Sequence, residues 1–318
     1  MAPDTGTGWQ PPPYADPSAF AEHDVTVGSG ALAVAGTMSL PRHRDAVPAV
    51  VLLSGGGPFD RDETSGPNKP IKDIAWGLAS LGIATLRFDK VTWTRHGVAG
   101  DPGFTMTEEY VPHAMSAIRL LRERPEVDAG RVFVLGHSMG GKVAPRVAAA
   151  EPAVAGLVIM AGDAQPMHHE AVRVTRYLAS LDPSPQAAAR AAAMARLAAV
   201  VDRPGLSPAT PRAELPLGLS GGYWLDLLGY QPVSTAAALP TPLLLLQGGR
   251  DYQVTLADDF ARWRSGLTDH PDVTFRVYPD DDHLFFPGTG PPTPADYEAA
   301  QHVDPAVLTD VAECLMRR

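Results

Sequence analysis

Hydrophobic positions along the chain recur with two periods, and their alternation predicts most of the architecture. His23 to Val27 and Leu32 to Ser39 alternate as strands on either side of Gly28-Ser29-Gly30, a hairpin signature. Ala49 to Leu53 is an unbroken apolar run of strand length. Ile71, Ile74, Ala75, Leu78 and Leu81 then return at helical spacing until Gly82, and Ile83 to Phe88 is strand-like again, which completes a β-α-β unit. Thr105 and Glu108 form a capping box for a helix to about Arg124. Strand Val132 to Leu135, helix Met139 to Ala150 and strand Gly156 to Met160 follow. Continuous apolar strands joined by helical crossovers indicate a parallel sheet buried on both faces.

The alternation stops between about Ala164 and Val233, where helical patterns run without strands. There Ser184-Pro185 supplies an N-cap and first-turn proline for the Ala-rich stretch Gln186 to Val201. It resumes with strand Thr241 to Gln247, helix Leu256 to Leu267, strand Val273 to Tyr278 and a last helix near Pro305 to Met316. The pattern therefore predicts an α/β fold with a mostly parallel, doubly wound sheet. Residues 23–163 and 234–318 form a discontinuous core, and 164–233 form a helical cap. Residues 1–22 hold five prolines without a basic start or an apolar run, and read as a flexible leader rather than a secretory signal.

Composition narrows the choice of partners. Twenty-six lysines and arginines against 36 aspartates and glutamates leave a net charge of −10, which repels phosphate backbones and anionic lipid. Neither nucleic acid nor membrane is expected, and no stretch approaches the ~20 apolar residues of a bilayer span. A soluble, cytoplasmic protein follows, with the oligomeric state open, a homo-oligomer included. The single cysteine, Cys314, rules out an internal disulfide. His168 and His169 are adjacent rather than four apart, and no metal site is assigned.

The most specific chemical signal is Gly136-His137-Ser138-Met139-Gly140, a G-x-S-x-G sequence between a predicted strand and a predicted helix. Such a turn exposes the serine hydroxyl at the carboxyl end of a sheet, which makes Ser138 the candidate nucleophile. A serine needs a base in reach and an acid to orient that base. Asp251 follows strand Thr241 to Gln247, and His283 follows strand Val273 to Tyr278, each in the loop where a partner belongs. Asp163 is the rival acid, and aspartates 280 to 282 read as a solvated run. For the oxyanion, Met139 N–H is one donor. The loop Ser54-Gly55-Gly56-Gly57-Pro58 supplies the second, with Gly56 preferred and Gly57 next to it. No Lys-Ser or Lys-Thr follows these glycines, which excludes a phosphate cradle. Asp60-Arg61-Asp62-Glu63 is expected to be an ion-pair cluster holding that loop.

These residues resemble the α/β-hydrolases and, more narrowly, the bacterial serine esterases of the EstD type. The matching segments are SGGGPFDRDETSGPNKPIKDIAWGLASLGIATLRFDK, VFVLGHSMGGKVAPRVA, LQGGRDYQV, DDHLFF and the later HVDP, within roughly residues 23 to 318. The resemblance implies the α/β-hydrolase fold, carboxylesterase activity on a small acyl substrate, a Ser138-Asp251-His283 triad, a cap inserted before the acid-bearing strand, and no cofactor. Two departures concern substrate choice: Ser54-Gly55 stands where His-Gly is frequent, and Val91 to His96 puts Trp93 and a histidine near the site mouth. Aromatic residues of the insertion, among them Tyr223 and Trp224, could roof the pocket, so Gly57, Trp93, Tyr223 and Trp224 are the substrate-binding candidates. Acyl transfer, thioester cleavage or lactone chemistry on the same triad is the alternative activity, and a non-catalytic receptor on this scaffold the remote one.

Overall fold

A computed structural model describes residues 8–42 and 45–317. Eight strands, β1 (Phe20–Val27), β2 (Val34–Pro41), β3 (Val47–Leu53), β4 (Ala84–Phe88), β5 (Val127–His137), β6 (Leu157–Met160), β7 (Leu243–Gly248) and β8 (Val273–Tyr278), form one sheet in the order β1-β2-β4-β3-β5-β6-β7-β8. The opening hairpin and the β2-β4 pair are antiparallel, and the remaining pairs are parallel. The helices are α1 (Pro70–Ser80), α2 (Val91–Thr94), α3 (Met106–Arg122), α4 (Met139–Ala150), α5 (Met167–Leu181), α6 (Pro185–Val201), α7 (Gly221–Leu228), α8 (Pro232–Ala237), α9 (Ala261–Gly266) and α10 (Pro305–Arg317).

The period of two along the parallel strands builds two cores. Val50, Leu52, Phe133, Leu135, Val158 and Met160 pack with Ile71, Ile74 and Leu78 of α1 and Val307 and Val311 of α10. Ala49, Val51, Leu53, Val132, Val134, Leu157 and Ile159 pack with α3 and α4 on the other face. Helices cover both faces, so no position on these strands has to be polar. The chain enters the parallel sheet at β3, places β4 on one side and returns to place β5 on the other. Leu53 thereby lies opposite Gly136 at the carboxyl ends of adjoining strands. Open α/β sheets bind ligands at such a reversal of strand order.

Local signals hold where the chemistry is local. Thr105 and Glu108 close the capping box of α3, and Ser184 Oγ accepts from Ala187 N–H (3.2 Å) at the start of α6. The helix expected over Leu256 to Leu267 opens with a π-helical turn, Leu256–Phe260, before α9. Between β6 and β7, α5 and α6 pack on each other, whereas α8 lies against α4 and α9 in the layer that covers the sheet.

The expected leader is corrected in its described part; residues 1–7 lie outside the described residues. Trp9 packs edge-on against Trp76 of α1 (centroids 5.2 Å) and donates from Nε1 to Asp73 (2.8 Å), with Lys72 Nζ 4.2 Å from its ring centre. Asp16 N–H bonds Ser80 Oγ (2.8 Å), and Phe20, already in β1, meets the same Trp76. Proline-rich composition conceals this anchoring, because two aromatic rings suffice to hold an extended segment on a helix. Trp9→Ala should lower stability by about 1–2 kcal/mol, the sum of one aromatic pair and one cation–π contact. Urea unfolding of the two proteins measures the difference.

Candidate active site

The turn that presents Ser138 is built from glycine. A Cβ on Gly136 would lie 2.1 Å from Gly140 O, and one on Gly140 would lie 2.4 Å from Leu53 O, so only glycine lets α4 start against the end of β3. Ser138 is driven to φ 53° and ψ −121°, a strained conformation for a residue with a side chain. Its N–H is held by Met160 O (2.8 Å) of the adjoining strand.

Asp251 and His283 come together from the loops after β7 and β8. His283 Nδ1 donates to Asp251 Oδ2 (2.7 Å), which leaves Nε2 to act toward the serine. The other oxygen, Asp251 Oδ1, accepts from Gln253 N–H (2.8 Å) and Val254 N–H (2.9 Å), and Gln247 Nε2 donates to Oδ2 (3.0 Å). Four donors hold this carboxylate in one orientation. The rival Asp163 is bound instead by Lys142 Nζ (2.5 Å). Ser138 and His283 line one cavity of about 290 Å³ without a direct hydrogen bond; catalytic hydrogen bonds are often long outside the Michaelis complex.

Aspartates 280 to 282 are not a solvated run. Asp281 and Asp282 are both buried. Asp282 Oδ1 accepts from Leu284 N–H (2.9 Å) and Phe286 N–H (3.1 Å), which folds the chain around His283 and carries Phe285 to a left-handed φ of 60°. Burial pushes the Asp282 carboxyl up to about 6, against the pull of those two N–H groups. Burial, reinforced by the carboxylates of Asp304, Asp282 and Asp280, pushes Asp281 up to about 7.

The loop after β3 is clamped from both sides of Gly55. Glu63 Oε1 accepts its N–H (2.9 Å), while Lys90 Nζ (2.7 Å) and Tyr110 OH (2.8 Å) donate to its carbonyl. The cluster expected at residues 60–63 does hold this loop: Arg61 forks onto Asp89 (3.0 Å through both nitrogens), and Asp62 accepts from Arg87 Nε (2.8 Å). Among the described residues Gly56 N–H has no protein acceptor, and Met139 N–H is one of the unpaired donors at the start of α4. Gly56 lines both cavities beside Ser138, and Met139 lines one of them.

Sequence places Glu63 only in the cluster that holds the glycine loop, and it does not single out His137. His137 Nδ1 lies 3.0 Å from Glu63 Oε1, and Nε2 lies 2.8 Å from the carbonyl oxygen of His283. Acceptors on both sides favour the doubly protonated ring. Burial alone would push this histidine down, but the Glu63 carboxylate and the His283 carbonyl outweigh it and hold it above its usual value. One carboxylate thus ties the glycine loop to the backbone of His283. The G-x-S-x-G motif pointed at position 137 only as a spacer.

A second cavity, of about 520 Å³ and mostly apolar, opens on the other side of Ser138 beneath the insertion. Gly57 and Tyr223 line it, as proposed from sequence, and Tyr223 OH donates to Glu109 (2.5 Å). Trp93 and Trp224 do not line it, which corrects two candidates. Trp93 is exposed with its ring edge-on to His96, and it is His96 that reaches the cavity wall. Trp224, one step of ~100° round α7 from Tyr223, is fully buried against His168. The sequence also offered no sign that His168 and His169 converge on Asp202 of another helix end (2.8 and 3.2 Å). This trio has donor atoms close enough together for a cation, but none of its members lines the Ser138 cavity.

The raised carboxyl groups make a signed prediction. Folded Asp281 keeps a proton that the unfolded chain releases near pH ~4, so stability falls as pH rises from there through about 7. Asp281→Asn removes that dependence. The variant should gain on the wild type between pH 5 and pH 8, measured as the difference between their urea midpoints.

Comparison with known proteins gives the family and the fold. Residues 68–286 match the family described as serine aminopeptidase, S33. The chain is 36% identical over 314 residues to Esterase EstD of Thermotoga maritima, covering 98% of this chain and 72% of that protein. Among solved structures, Est1E from Butyrivibrio proteoclasticus superposes with a TM-score of 0.56 at 15% identity, over 92% of this chain and 96% of that one. The esterase domain of a Rhodothermus marinus protein does so with a TM-score of 0.56 at 18% identity, over 93% and 98%. These two share the fold alone. Family match, near-full-length relative and sheet topology together place the chain in the α/β-hydrolase superfamily, in the serine aminopeptidase S33 family and among its carboxylic ester hydrolases.

Proposed function

We propose that this protein hydrolyses carboxylic esters of small acyl substrates through an acyl-enzyme on Ser138. The observation that carries the reading is the 2.7 Å bond from His283 Nδ1 to Asp251, with the imidazole and a strained Ser138 lining one cavity. Ser138 Oγ attacks the ester carbonyl while His283 Nε2 takes its proton, and Asp251 stabilises the imidazolium. The oxyanion rests on the N–H groups of Gly56 and Met139. Collapse breaks the bond to the alkoxy oxygen, which leaves with the proton from His283. Water then attacks the acyl-enzyme with His283 as base and releases the acid and free serine.

His283 must reach the leaving oxygen, and it lines the smaller cavity. The alcohol is therefore assigned to that side and the acyl chain to the larger, mostly apolar cavity under the insertion. Glu63 is a positioning residue, since it acts through Gly55 and His137 rather than on substrate.

A fluorophosphonate probe should label the wild type and leave Ser138→Ala unlabelled, and p-nitrophenyl ester turnover should disappear in Ser138→Ala and His283→Ala. Labelling that survives Ser138→Ala would refute the assignment. Product ratios with water and a competing alcohol separate hydrolysis from acyl transfer. Glu63→Gln keeps the shape but removes a charge-assisted bond. The loss should fall on kcat, by about ten- to a hundredfold, with KM little changed.

A further inference from the structure

We infer that the larger cavity is built for an acyl group that carries a basic nitrogen, with Glu170 as the residue that receives it. The inference rests on the proposed acyl-enzyme reaction and on its placement of the acyl chain. Met167, Glu170, Ala171 and Val174 stand at helical spacing on α5 and all line the cavity. Three of the four suit an apolar wall. The fourth puts a carboxyl group into it.

Every other acidic group near that wall is already matched. Glu109 pairs with Lys90 (3.1 Å) and accepts from Tyr223 and Thr92. Asp163 is held by Lys142 (2.5 Å). Asp259, at the π-helical turn before α9, accepts from the N–H groups of Ala164 and Gln165 and pairs with Arg173 (3.2 Å). Among the described residues the Glu170 side chain forms neither a hydrogen bond nor an ion pair; its backbone N–H bonds Pro166 O (3.2 Å). The cavity's one arginine, Arg212, is exposed and donates from Nε to Gly218 O (2.8 Å).

Burial first, and then the charges of Asp163 and Asp259, hold the Glu170 carboxyl well above the usual range; Lys142 and Arg173 pull the other way with less effect. The field at this point is therefore negative even before Glu170 ionises. An ammonium group on the substrate would meet that field, take Glu170 to its charged form and complete a charge-assisted pair away from bulk water. A neutral acceptor would gain only one hydrogen bond from the protonated acid, and an anion would be repelled. The remaining lining, with Met139, Met167, Val174, Leu217 and Leu219, suits a hydrocarbon spacer between that nitrogen and the carbonyl.

The test uses p-nitrophenyl esters of 6-aminohexanoate to 8-aminooctanoate, each against its hydrocarbon isostere (heptanoate for the shortest) and its ω-hydroxy analogue. They are run on the wild type, Glu170→Gln and Glu170→Leu, with Ser138→Ala as blank. The wild type should favour the amine over the hydrocarbon by tenfold or more in kcat/KM at one chain length at least. That ratio should fall to about one in Glu170→Gln and invert in Glu170→Leu, and fluorophosphonate labelling of both variants shows that they are folded. The inference is overturned if the amine has no advantage at any length, if the advantage survives Glu170→Gln, or if the hydroxy ester is favoured as strongly as the amine. In those cases Ser138-dependent turnover of the hydrocarbon esters leaves the ester-hydrolase reading standing. An unlabelled wild type that turns over no ester would overturn both.

Discussion

Three backbone segments meet at Leu53, Gly136 and Gly140, closer than any side chain would permit, and the site depends on that approach. With β3 and β5 adjoining at the reversal of strand order, the first turn of α4 can lie against the end of β3 only if Gly140 has no Cβ, and Gly136 must yield the same space. Ser138 is left between them in a conformation that costs about 1–3 kcal/mol. The sheet hydrogen bonds on either side and the packed cores above and below hold it there. The exposed hydroxyl is thus a result of backbone crowding, and the loop carrying Gly56 comes beside it for the same reason.

Charge does the remaining positioning. Glu63 itself has a left-handed φ of 55°, and its Oε1 is shared between Gly55 N–H and His137. Through His137 the same carboxylate reaches the backbone of His283, so the loop after β3, the end of β5 and the loop after β8 are bound to one buried carboxylate. Lys90, Arg61 and Arg87 surround it with further buried or half-buried pairs. Buried ion pairs add little net stability once desolvation is counted. Their value here is directional: each fixes a loop whose backbone must point at a substrate.

The two cavities on either side of Ser138 differ as their walls do. The smaller is bounded by the loops that carry His283, Tyr252 and Tyr297, and the larger by the insertion. Reaction and selection therefore rest on different parts of the chain. In the proposed reaction the sheet and its carboxyl-end loops set the geometry of acyl transfer, while α5 and α7 set what fits above it. The net charge of −10 does not bear on the reacting centre, where backbone donors stand beside carboxylates matched by internal cations.

Much was legible in the chain itself because the determining physics is local. Strand alternation, the capping box at Thr105, the stop at Gly82 and the serine turn each depend on residues a few positions apart. The order Ser138, Asp251, His283 follows from the loops in which each lies. What required tertiary structure concerns partners distant in sequence. Whether Asp281 and Asp282 meet water or the inside of a loop, whether Trp9 is free or seated on α1, and which of Tyr223 and Trp224 faces the cavity are settled by what packs against them. The same holds for Asp163 and Asp251, equally placed after strands, of which one was taken by Lys142 and the other by His283. Sequence determined the elements and the type of chemistry, because propensity and motif act over short spans. Only the fold decided which charges are matched, because burial and pairing join segments separated along the chain, by 21 residues for Lys142 and Asp163 and by 74 for Glu63 and His137.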